Sequence, residues 1–398
     1  MHQPSSLIPA RSSARRLAAL TVAILATLSL PPAMGSGASS QPSSTRHLEY
    51  VFTDHLISVF DIDRAQRLVQ QIPLPEIRAI RGVAASPSSH LLYISYGGDG
   101  GGGPGSTGSL AAIDLLTNQI RWQREYGTGI DSFSVTPDGK TIYLPTGELS
   151  HGADWLVIDA RTGAQTGVVT GGAGPHNTVV GLDGRFAYLG GRSSVYLTVV
   201  RTKDNKIVRQ IGPLKDTVRP FTINGRQTLA YTTATGFLGF QVSSIRTGRV
   251  LFTVPVPKFS YDPAAFAPSA PSHGISLSPD ERELYLIDAP NSYVHVFDVR
   301  GGSAKPPRLI KDIKLNHPLT GDEDPCVYDC ARDGWIQHSR SGRYVYVGDS
   351  GDVIDTRTRR ITAYIEPLRQ TRKMLEIDWR GGVPIATTTR SGLGYVTR

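Results

Sequence analysis

Short apolar stretches separated by turn residues recur along the chain, and their spacing gives the first indication of the fold. One segment type, made of a short strand, a tight turn and a second strand, occurs seven times. Pro, Asp and Gly supply the turns, whereas β-branched and aromatic residues supply the flanking strands. The copies begin near Val83, Ser132, Asn177, Phe221, Gly274 and Trp335, with a weaker copy near Met374.

A third apolar run that ends in an acidic residue follows most copies, and a fourth run follows a further turn. Leu110 to Asp114 and Tyr293 to Asp298 are examples of the third run, and Ile207 to Ile211 is an example of the fourth. Units of four antiparallel strands that repeat at this spacing are typical of propeller blades. The sequence therefore predicts an all-β protein, a seven-bladed β-propeller with four-stranded antiparallel blades.

The two ends of the repeat region are incomplete in complementary ways. Leu48 to Phe52 and Leu56 to Asp61 have no first strand before them, whereas Met374 to Trp379 is a first strand near the other end. Sharing one blade between N- and C-terminal strands removes two exposed edges, so we expect the ring to close in this way. The tail from Pro384 to Val396 exceeds this strand count, which leaves the terminal strand assignment and an eight-bladed ring open.

The first 38 residues differ from the rest of the chain. Three arginines precede an apolar run from Leu17 to Leu30, and small residues follow it. This order predicts a signal peptide and short leader over residues 1–38, cleaved after Gly35 or Ala38, by either the general secretory or the twin-arginine route. Residues 46–398 are then a single propeller domain, secreted or periplasmic, and we expect no membrane span in the mature chain.

The charge balance does not indicate a nucleic-acid partner. The formal net charge is +8, and removing the leader leaves 39 basic against 34 acidic residues. These basic residues are spread thinly, whereas a nucleic-acid footprint requires a cluster on one face. We therefore expect no nucleic-acid binding.

Two cysteines, Cys326 and Cys330, lie in the longest insertion between strands, Lys314 to Asp333. In an exported protein such a pair is most simply a disulfide. The alternative, two metal-binding thiolates, lacks the second cysteine pair of a zinc site. Because this loop leads into the sixth copy, we expect it on the face of the ring where the inner strands begin.

The segment GISLSPDERELYLIDAPNSYVHVFDV, which starts at Gly274, resembles the repeat of the YVTN-repeat β-propeller proteins. These exported bacterial proteins are related in fold to the heavy subunit of quinoprotein amine dehydrogenases. The resemblance implies a propeller, an exported location and a central channel with loops suited to ligand binding. It implies no single activity, because one fold hosts many functions.

Residues just before the first strand of each blade converge near the channel axis, on one face of the ring. We predict a polar ligand site there, with a solvated structural channel as the alternative. These side chains are expected to be exposed at the channel mouth, so that truncating them costs little stability. His338, in contrast, aligns with apolar strand positions and is expected in the core. The predicted ring comprises Arg81, Asp131, His176, Arg219 (or nearby Thr217) and His273.

No GxSxG, HExxH or Walker motif occurs in the sequence. The predicted function is an exported binding or scaffold protein for a small polar ligand or a protein partner, acting as a monomer without a cofactor. The alternative is a lyase or hydrolase that uses His176 and His273 with Asp131 or Arg81, as metal ligands or as acid/base groups. A redox heavy subunit would need a partner that carries the quinone.

Overall fold

The computed structural model describes residues 44–98, 106–266, 270–326 and 330–388. In these residues the strands form seven antiparallel sheets, and the protein is a seven-bladed β-propeller, as predicted. Helical structure there is confined to two short 3₁₀ helices, Ile62–Arg64 and Glu366–Gln370. None of the helices in the described ranges is long and apolar enough to cross a membrane. The predicted leader, residues 1–38, lies outside the described residues.

The strands follow one another in chain order, and each blade uses consecutive strands except where the ring closes. The first three are β1 (Arg46–Thr53), β2 (Leu56–Asp61) and β3 (Arg67–Pro73). Three blades follow: β4 (Gly82–Ser86), β5 (Leu91–Tyr96), β6 (Gly108–Asp114) and β7 (Ile120–Tyr126); β8 (Ser134–Val135), β9 (Thr141–Pro145), β10 (Asp154–Asp159) and β11 (Gln165–Thr170); β12 (Pro175–Val180), β13 (Phe186–Gly191), β14 (Leu197–Arg201) and β15 (Lys206–Ile211). The next three are β16 (Val218–Ile223), β17 (Leu229–Ala234), β18 (Gly239–Ser244) and β19 (Val250–Pro255); β20 (Ile275–Leu277), β21 (Glu283–Asp288), β22 (Tyr293–Asp298) and β23 (Arg308–Lys314); β24 (Trp335–His338), β25 (Tyr344–Gly348), β26 (Asp352–Asp355) and β27 (Arg360–Tyr364). The chain's last strands are β28 (Met374–Arg380) and β29 (Val383–Thr387).

An acidic residue ends most of the third strands and organises the turn that follows it. Asp159 Oδ1 accepts hydrogen bonds from the backbone N–H groups of Arg161 and Thr162, at 3.1 and 2.9 Å. Asp114 and Asp355 cap their turns in the same way. A carboxylate that satisfies two turn amides replaces ladder hydrogen bonds lost where the strand ends. This explains why the repeat carries an acid at this position.

A repeated tyrosine in the second strand fills the space between neighbouring blades. Tyr93, for example, is fully buried and packs in one apolar cluster with Ile142 of the next blade. Burying an aromatic ring removes a large apolar area from water, so these residues stabilise the contacts that hold the ring together. The six equivalent residues are Tyr93, Tyr143, Tyr188, Tyr231, Tyr285 and Tyr346, all buried.

The ring closes through β1, which pairs with β2 on one side and with β28 on the other. The predicted closure by N- and C-terminal strands is therefore confirmed. The extra tail is a fifth strand of this blade, since β29 pairs with the axis side of β28 and does not start an eighth blade. Pro384 lacks an N–H donor, which suits an edge strand that pairs on one side only. Residues 389–398 of the tail lie outside the described residues.

Candidate functional site

The inner strands of neighbouring blades contact one another around the channel, and they begin on the same face of the ring. Arg81, Asp131 and His273 precede β4, β8 and β20, whereas His176 and Arg219 are the second residues of β12 and β16. Three consecutive blades, whose inner strands are β4, β8 and β12, bring Arg81, Asp131 and His176 into one cluster. Arg219 lies at its edge. His273 lies in a neighbouring cluster.

Asp131 is at the centre of the first cluster. His176 Nδ1 donates to its carboxylate at 2.7 Å, and Arg81 Nη2 lies 3.4 Å from both carboxylate oxygens. The backbone N–H of Ser132 donates a further bond at 2.7 Å. Burial alone would raise the pKa of Asp131, but Arg81 and His176 hold it well below its usual value. Asp131 is therefore an anion that fixes the orientation of the His176 ring.

Glu148 lies against the same cluster, although the sequence analysis did not single it out. Its buried carboxylate is 3.2 Å from Arg81 Nη2, 2.7 Å from Arg192 Nη1 and 3.8 Å from Arg219 Nη1. The three guanidinium groups come from three blades, and Glu148 follows β9 of a fourth. Glu148 therefore links four consecutive blades through charge pairs at the channel mouth.

The second cluster surrounds Arg372, which precedes β28. Its guanidinium contacts Asp333 Oδ1 at 2.5 Å, Glu323 Oε1 at 2.9 Å and Asp349 Oδ2 at 3.7 Å. His273 Nδ1 is 3.1 Å from Asp333 Oδ1 and 3.0 Å from the Gly334 carbonyl oxygen. Three carboxylates and a histidine thus converge on one buried guanidinium.

The disulfide-containing loop supplies part of this second cluster. Cys326 and Cys330 are bonded, with their Cα atoms 5.6 Å apart. Glu323 lies three residues before the bridge and Asp333 three residues after it, and both contact Arg372. The loop therefore lies on the face where the inner strands begin, as the sequence analysis expected.

The expectation that the ring side chains are exposed is wrong. His176 and His273 are each only 6% exposed, and Asp131 is 1% exposed. The inner strands approach one another closely at this face, so the polar groups contact each other instead of bulk water. Removing one partner of a buried charge pair leaves an uncompensated charge, which costs far more than an exposed change. Truncating His176 or His273 is therefore not expected to leave stability unchanged.

The spacing of the first cluster resembles a metal site, but its charge does not. Ligand atoms of Asp131, Glu148 and His176 all lie within 4.8 Å of one another. However, the two carboxylates are already neutralised by the guanidinium groups of Arg81, Arg192 and Arg219. A divalent cation placed there would be repelled by three fixed positive charges a few ångströms away. The predicted ligand trio of His176, His273 and Asp131 is likewise divided between two clusters.

A cavity of about 20 Å³ separates the two clusters. His176 and Asn177 line it, and both carry buried polar atoms without a hydrogen-bond partner: Nε2 of His176, and both amide atoms of Asn177. A cavity of this size holds roughly one water molecule. The charged side chains on its wall are Arg81, Asp131, Arg372 and Lys373.

A larger cavity of about 450 Å³ lies at the opposite end of the channel. It is lined by the ends of inner strands and by their turns, including Val135, Pro137 and Leu182, and β29 closes one side of it with Pro384 and Ile385. The walls are mainly apolar. The polar ring and the roomy part of the channel are therefore at different ends, which the sequence did not indicate.

His338 is buried in β24, as expected of a core histidine. Its Nδ1 bonds Ser276 Oγ at 2.8 Å, its Nε2 has no partner, and its ring packs edge-on against Tyr285. Burial lowers the pKa of His338 to about 3. The charged imidazolium is thus strongly disfavoured in the folded state.

This burial predicts a specific acid sensitivity. The unfolded chain binds a proton at His338 below a pH of about 6.5, whereas the folded protein resists it down to a pH of about 3. Above pH 6.5 His338 is neutral in both states and does not lower the free energy of unfolding. Below that pH the unfolded chain gains a proton that the folded protein does not, so the free energy of unfolding falls. Between pH 7 and pH 4 we expect the wild type to lose about 3 kcal/mol more unfolding free energy than His338→Phe, by chemical denaturation.

His151→Phe is the matched control, because the His151 side chain is exposed. It should retain the wild-type pH dependence. An equal acid response in His338→Phe and the wild type would show that His338 does not stay neutral in the fold.

The chain matches no protein-family model, and no curated protein resembles it in sequence. It is similar in structure to several solved β-propellers. A functionally unknown protein from Desulfotomaculum acetoxidans matches with a TM-score of 0.61 and 12% identity, over 82% of this chain and 98% of that one. Dihydro-heme d1 dehydrogenase NirN in complex with DHE matches with a TM-score of 0.55 and 13% identity, over 87% and 75%. Hydrazine synthase from Kuenenia stuttgartiensis matches with a TM-score of 0.51 and 16% identity, over 70% and 77%. At these identities the similarity shows the fold alone, that of a β-propeller.

Proposed function

We propose that this protein is an exported binding protein that takes the acidic group of a small organic anion at the polar ring. The supporting observation is the cavity beside His176 and Asn177. Its wall carries three cationic side chains, Arg81, Arg372 and Lys373, and one carboxylate, Asp131. The other acids that pair with the two guanidinium groups, Glu148, Glu323 and Asp333, do not line the cavity. A pocket with this charge favours an anion. The proposal includes export, supported by the predicted leader, and membership of the YVTN-repeat group, supported by the repeat. A monomeric state is a further part of the proposal.

The unpartnered groups set the hydrogen-bonding chemistry of the ligand. Because His176 Nδ1 donates to Asp131, its Nε2 accepts a bond when the ring is neutral. The Asn177 amide offers both a donor and an acceptor. Buried polar groups without partners cost stability, and their persistence is typical of sites that bind a ligand or an ordered water. A hydroxyl next to a carboxylate, as in a hydroxy acid, would donate to one of the two acceptors, His176 Nε2 or Asn177 Oδ1, while its carboxylate accepts a bond from Asn177 Nδ2.

A neighbouring cavity of about 40 Å³ shares Arg81 and Lys373 with the first and reaches Glu323 and Cys326 of the disulfide loop. Together the two cavities hold only a few heavy atoms. The ligand class is therefore a small acid or the acidic end of a larger molecule.

Asn177→Ala separates binding from folding. Because the Asn177 amide has no hydrogen-bond partner, its removal should leave the melting temperature in buffer unchanged or higher. Acetate, lactate, succinate and inorganic phosphate are tested by thermal shift against sodium chloride at equal ionic strength. We expect at least one of these anions to raise the wild-type melting temperature, and the rise to disappear in Asn177→Ala.

Thr198→Val is the control, because Thr198 also carries a buried hydroxyl without a partner but lies in β14, away from the cavity. It should respond to the anion as the wild type does. An unchanged anion response in Asn177→Ala, or no wild-type response to any of the four anions, would contradict the proposed site.

One observation favours a second function. The Asp131 and His176 pair has the arrangement of a general base, with a carboxylate on Nδ1 and an unpartnered Nε2 at the cavity. Such a pair could abstract a proton from a bound acid. Incubating the responding anion with the protein in D₂O distinguishes the two functions by NMR. Exchange of carbon-bound protons that His176→Gln abolishes supports the enzyme, and no exchange supports the binding protein.

A further inference from the structure

Four ionisable side chains form one patch on the strands that close the ring. In the antiparallel pair of β1 and β28, His47 is opposite Asp378 and Glu49 is opposite Glu376. Residues two apart on a strand share a face, so all four side chains lie on the same side of the closure. Two come from the N-terminal strand and two from near the other end of the chain.

The distances within this patch suit the coordination of an ion. His47 Nδ1 lies 2.7 Å from Asp378 Oδ1 and 3.5 Å from Glu376 Oε1. Ligand atoms of these three residues all lie within 4.8 Å of one another. Ligands about 2.0 to 2.2 Å from a zinc ion are separated by similar distances, so small side-chain rotations suffice to surround one.

The fourth side chain, Glu49, is a buried acid that lacks a hydrogen-bond partner on one oxygen. Glu49 is 1% exposed, and its Oε1 has no hydrogen-bond partner. Glu376 is equally buried and accepts a bond from the backbone N–H of Arg340 at 2.7 Å. The Arg340 guanidinium pairs with Asp378 at 2.8 Å. Three buried carboxylates thus face one guanidinium and one histidine.

In the described part of the chain, the neighbouring elements bring another acid and neutral groups to this patch. The 3₁₀ helix after β2 brings Asp63, another carboxylate, to the backbone N–H of His47. From β25, the Tyr346 hydroxyl hydrogen-bonds Gln66. In the Asp131 cluster, by comparison, two carboxylates meet three guanidinium groups. In the closure patch acidic side chains outnumber basic ones, which is the reverse of the Asp131 cluster.

We propose that His47, Glu376 and Asp378 bind a divalent transition-metal ion, with the buried carboxyl group of Glu49 beside them, and that this ion clamps the two strands that close the ring. One imidazole with carboxylates is a donor set that suits Zn²⁺ or Mn²⁺. The His47 side chain is 34% exposed, so the ion has a route from solvent. Because the ligands come from both ends of the chain, the ion binds only the closed ring and stabilises it by mass action.

Calorimetric titration of the untagged full chain, freed of metal with EDTA, tests this site with ZnCl₂ and MnCl₂. We expect one ion per chain and a melting temperature that rises with metal and falls again with excess EDTA. Glu376→Gln should weaken binding at least tenfold. It removes a buried charge without changing the side-chain shape, so its melting temperature in EDTA should not fall below that of the wild type.

Asp131→Asn is the control at the other candidate cluster and should bind the metal as the wild type does. The proposal is overturned if neither ion binds at 1:1 stoichiometry. It is also overturned if Glu376→Gln binds as tightly as the wild type while Asp131→Asn loses the metal. If neither ion binds, a proton on Glu49 or Glu376 explains how these paired acids lie together.

Discussion

Replacing Arg372 by Met is expected to lower the free energy of unfolding by about 3 to 5 kcal/mol, since it leaves buried carboxylates without their guanidinium partner. Arg372 contacts Glu323, Asp333 and Asp349, and all four side chains are buried. Burial, followed by the nearby Glu323 carboxylate, already raises the pKa of Asp349 well above its ordinary value. The three carboxylates therefore depend on the guanidinium group to lie this close together. Methionine keeps most of the apolar stem, so the loss reports the charge.

Arg308→Met is the matched control for this change. Arg308 also pairs with a carboxylate, Asp298 at 3.8 Å, but its side chain is 72% exposed. An exposed ion pair contributes about 0 to 1 kcal/mol. Adding Asp333→Asn to Arg372→Met should restore part of the lost stability by removing one stranded charge. Equal losses in the Arg372 and Arg308 variants by urea denaturation would show that the buried network does not depend on the guanidinium.

The blade architecture could be predicted because its determinants are local. Each turn acid and each second-strand tyrosine acts within its own blade or on its neighbour, and the same residues recur at the same place in the repeat. Asp159 and Tyr143 illustrate both roles. The same physical requirement is therefore visible in the sequence of most blades, which makes the repeat easy to detect.

The fifth strand of the closing blade was harder to predict. Val383 and Ile385 are about 40% exposed, so β29 lacks the apolar face that marks a strand packed between blades. Its position is set by edge pairing to β28 and by contacts such as that of Thr388 with Gln337, which are not visible in the sequence.

Comparing equivalent positions in successive blades correctly placed five side chains at one face of the channel. The comparison did not identify the residues that pair with them. Glu148 and Arg192 lie just after second strands, β9 and β13. A second strand runs antiparallel to the first, so its end lies beside the start of the inner strand. The charged residues just after the second strands could therefore have been predicted as partners of the ring side chains. Arg372 could not be paired in advance with Glu323 and Asp333, because the path of the disulfide loop decides those contacts.

The expected exposure of the ring failed for a related reason. Equivalent positions in the repeat predict that these side chains point toward the channel axis. They do not predict how closely the seven inner strands approach one another. At this face they approach closely enough for Arg81 to contact both Asp131 and Glu148. Opposite charges on adjacent blades then neutralise each other, and the remaining open space is small.

Deleting the N-terminal strand is expected to abolish the stable fold. A chain that starts at Asp54 lacks β1 and leaves β2 and β28 as unpaired edges inside one blade. It also loses the buried side chains of Leu48, Tyr50, Val51 and Phe52. At about 1.5 to 3 kcal/mol each, these side chains contribute as much as the whole stability of a typical protein. We expect unfolding or aggregation through the free edges, measured by circular dichroism and size-exclusion chromatography.

A chain that ends at Gly382 is the comparison that separates ring closure from the mere removal of a strand. It lacks β29, which pairs on one side only, and it keeps β1 between β2 and β28. This variant should remain folded and keep the wild-type elution volume in size-exclusion chromatography, with a smaller loss of melting temperature. A synthetic peptide of residues 44–53 should bind the chain that starts at Asp54 and restore its β signal, because it can pair with both free edges at once. If instead the chain starting at Asp54 melts cooperatively as a monomer near the wild-type temperature, the ring does not depend on closure by β1.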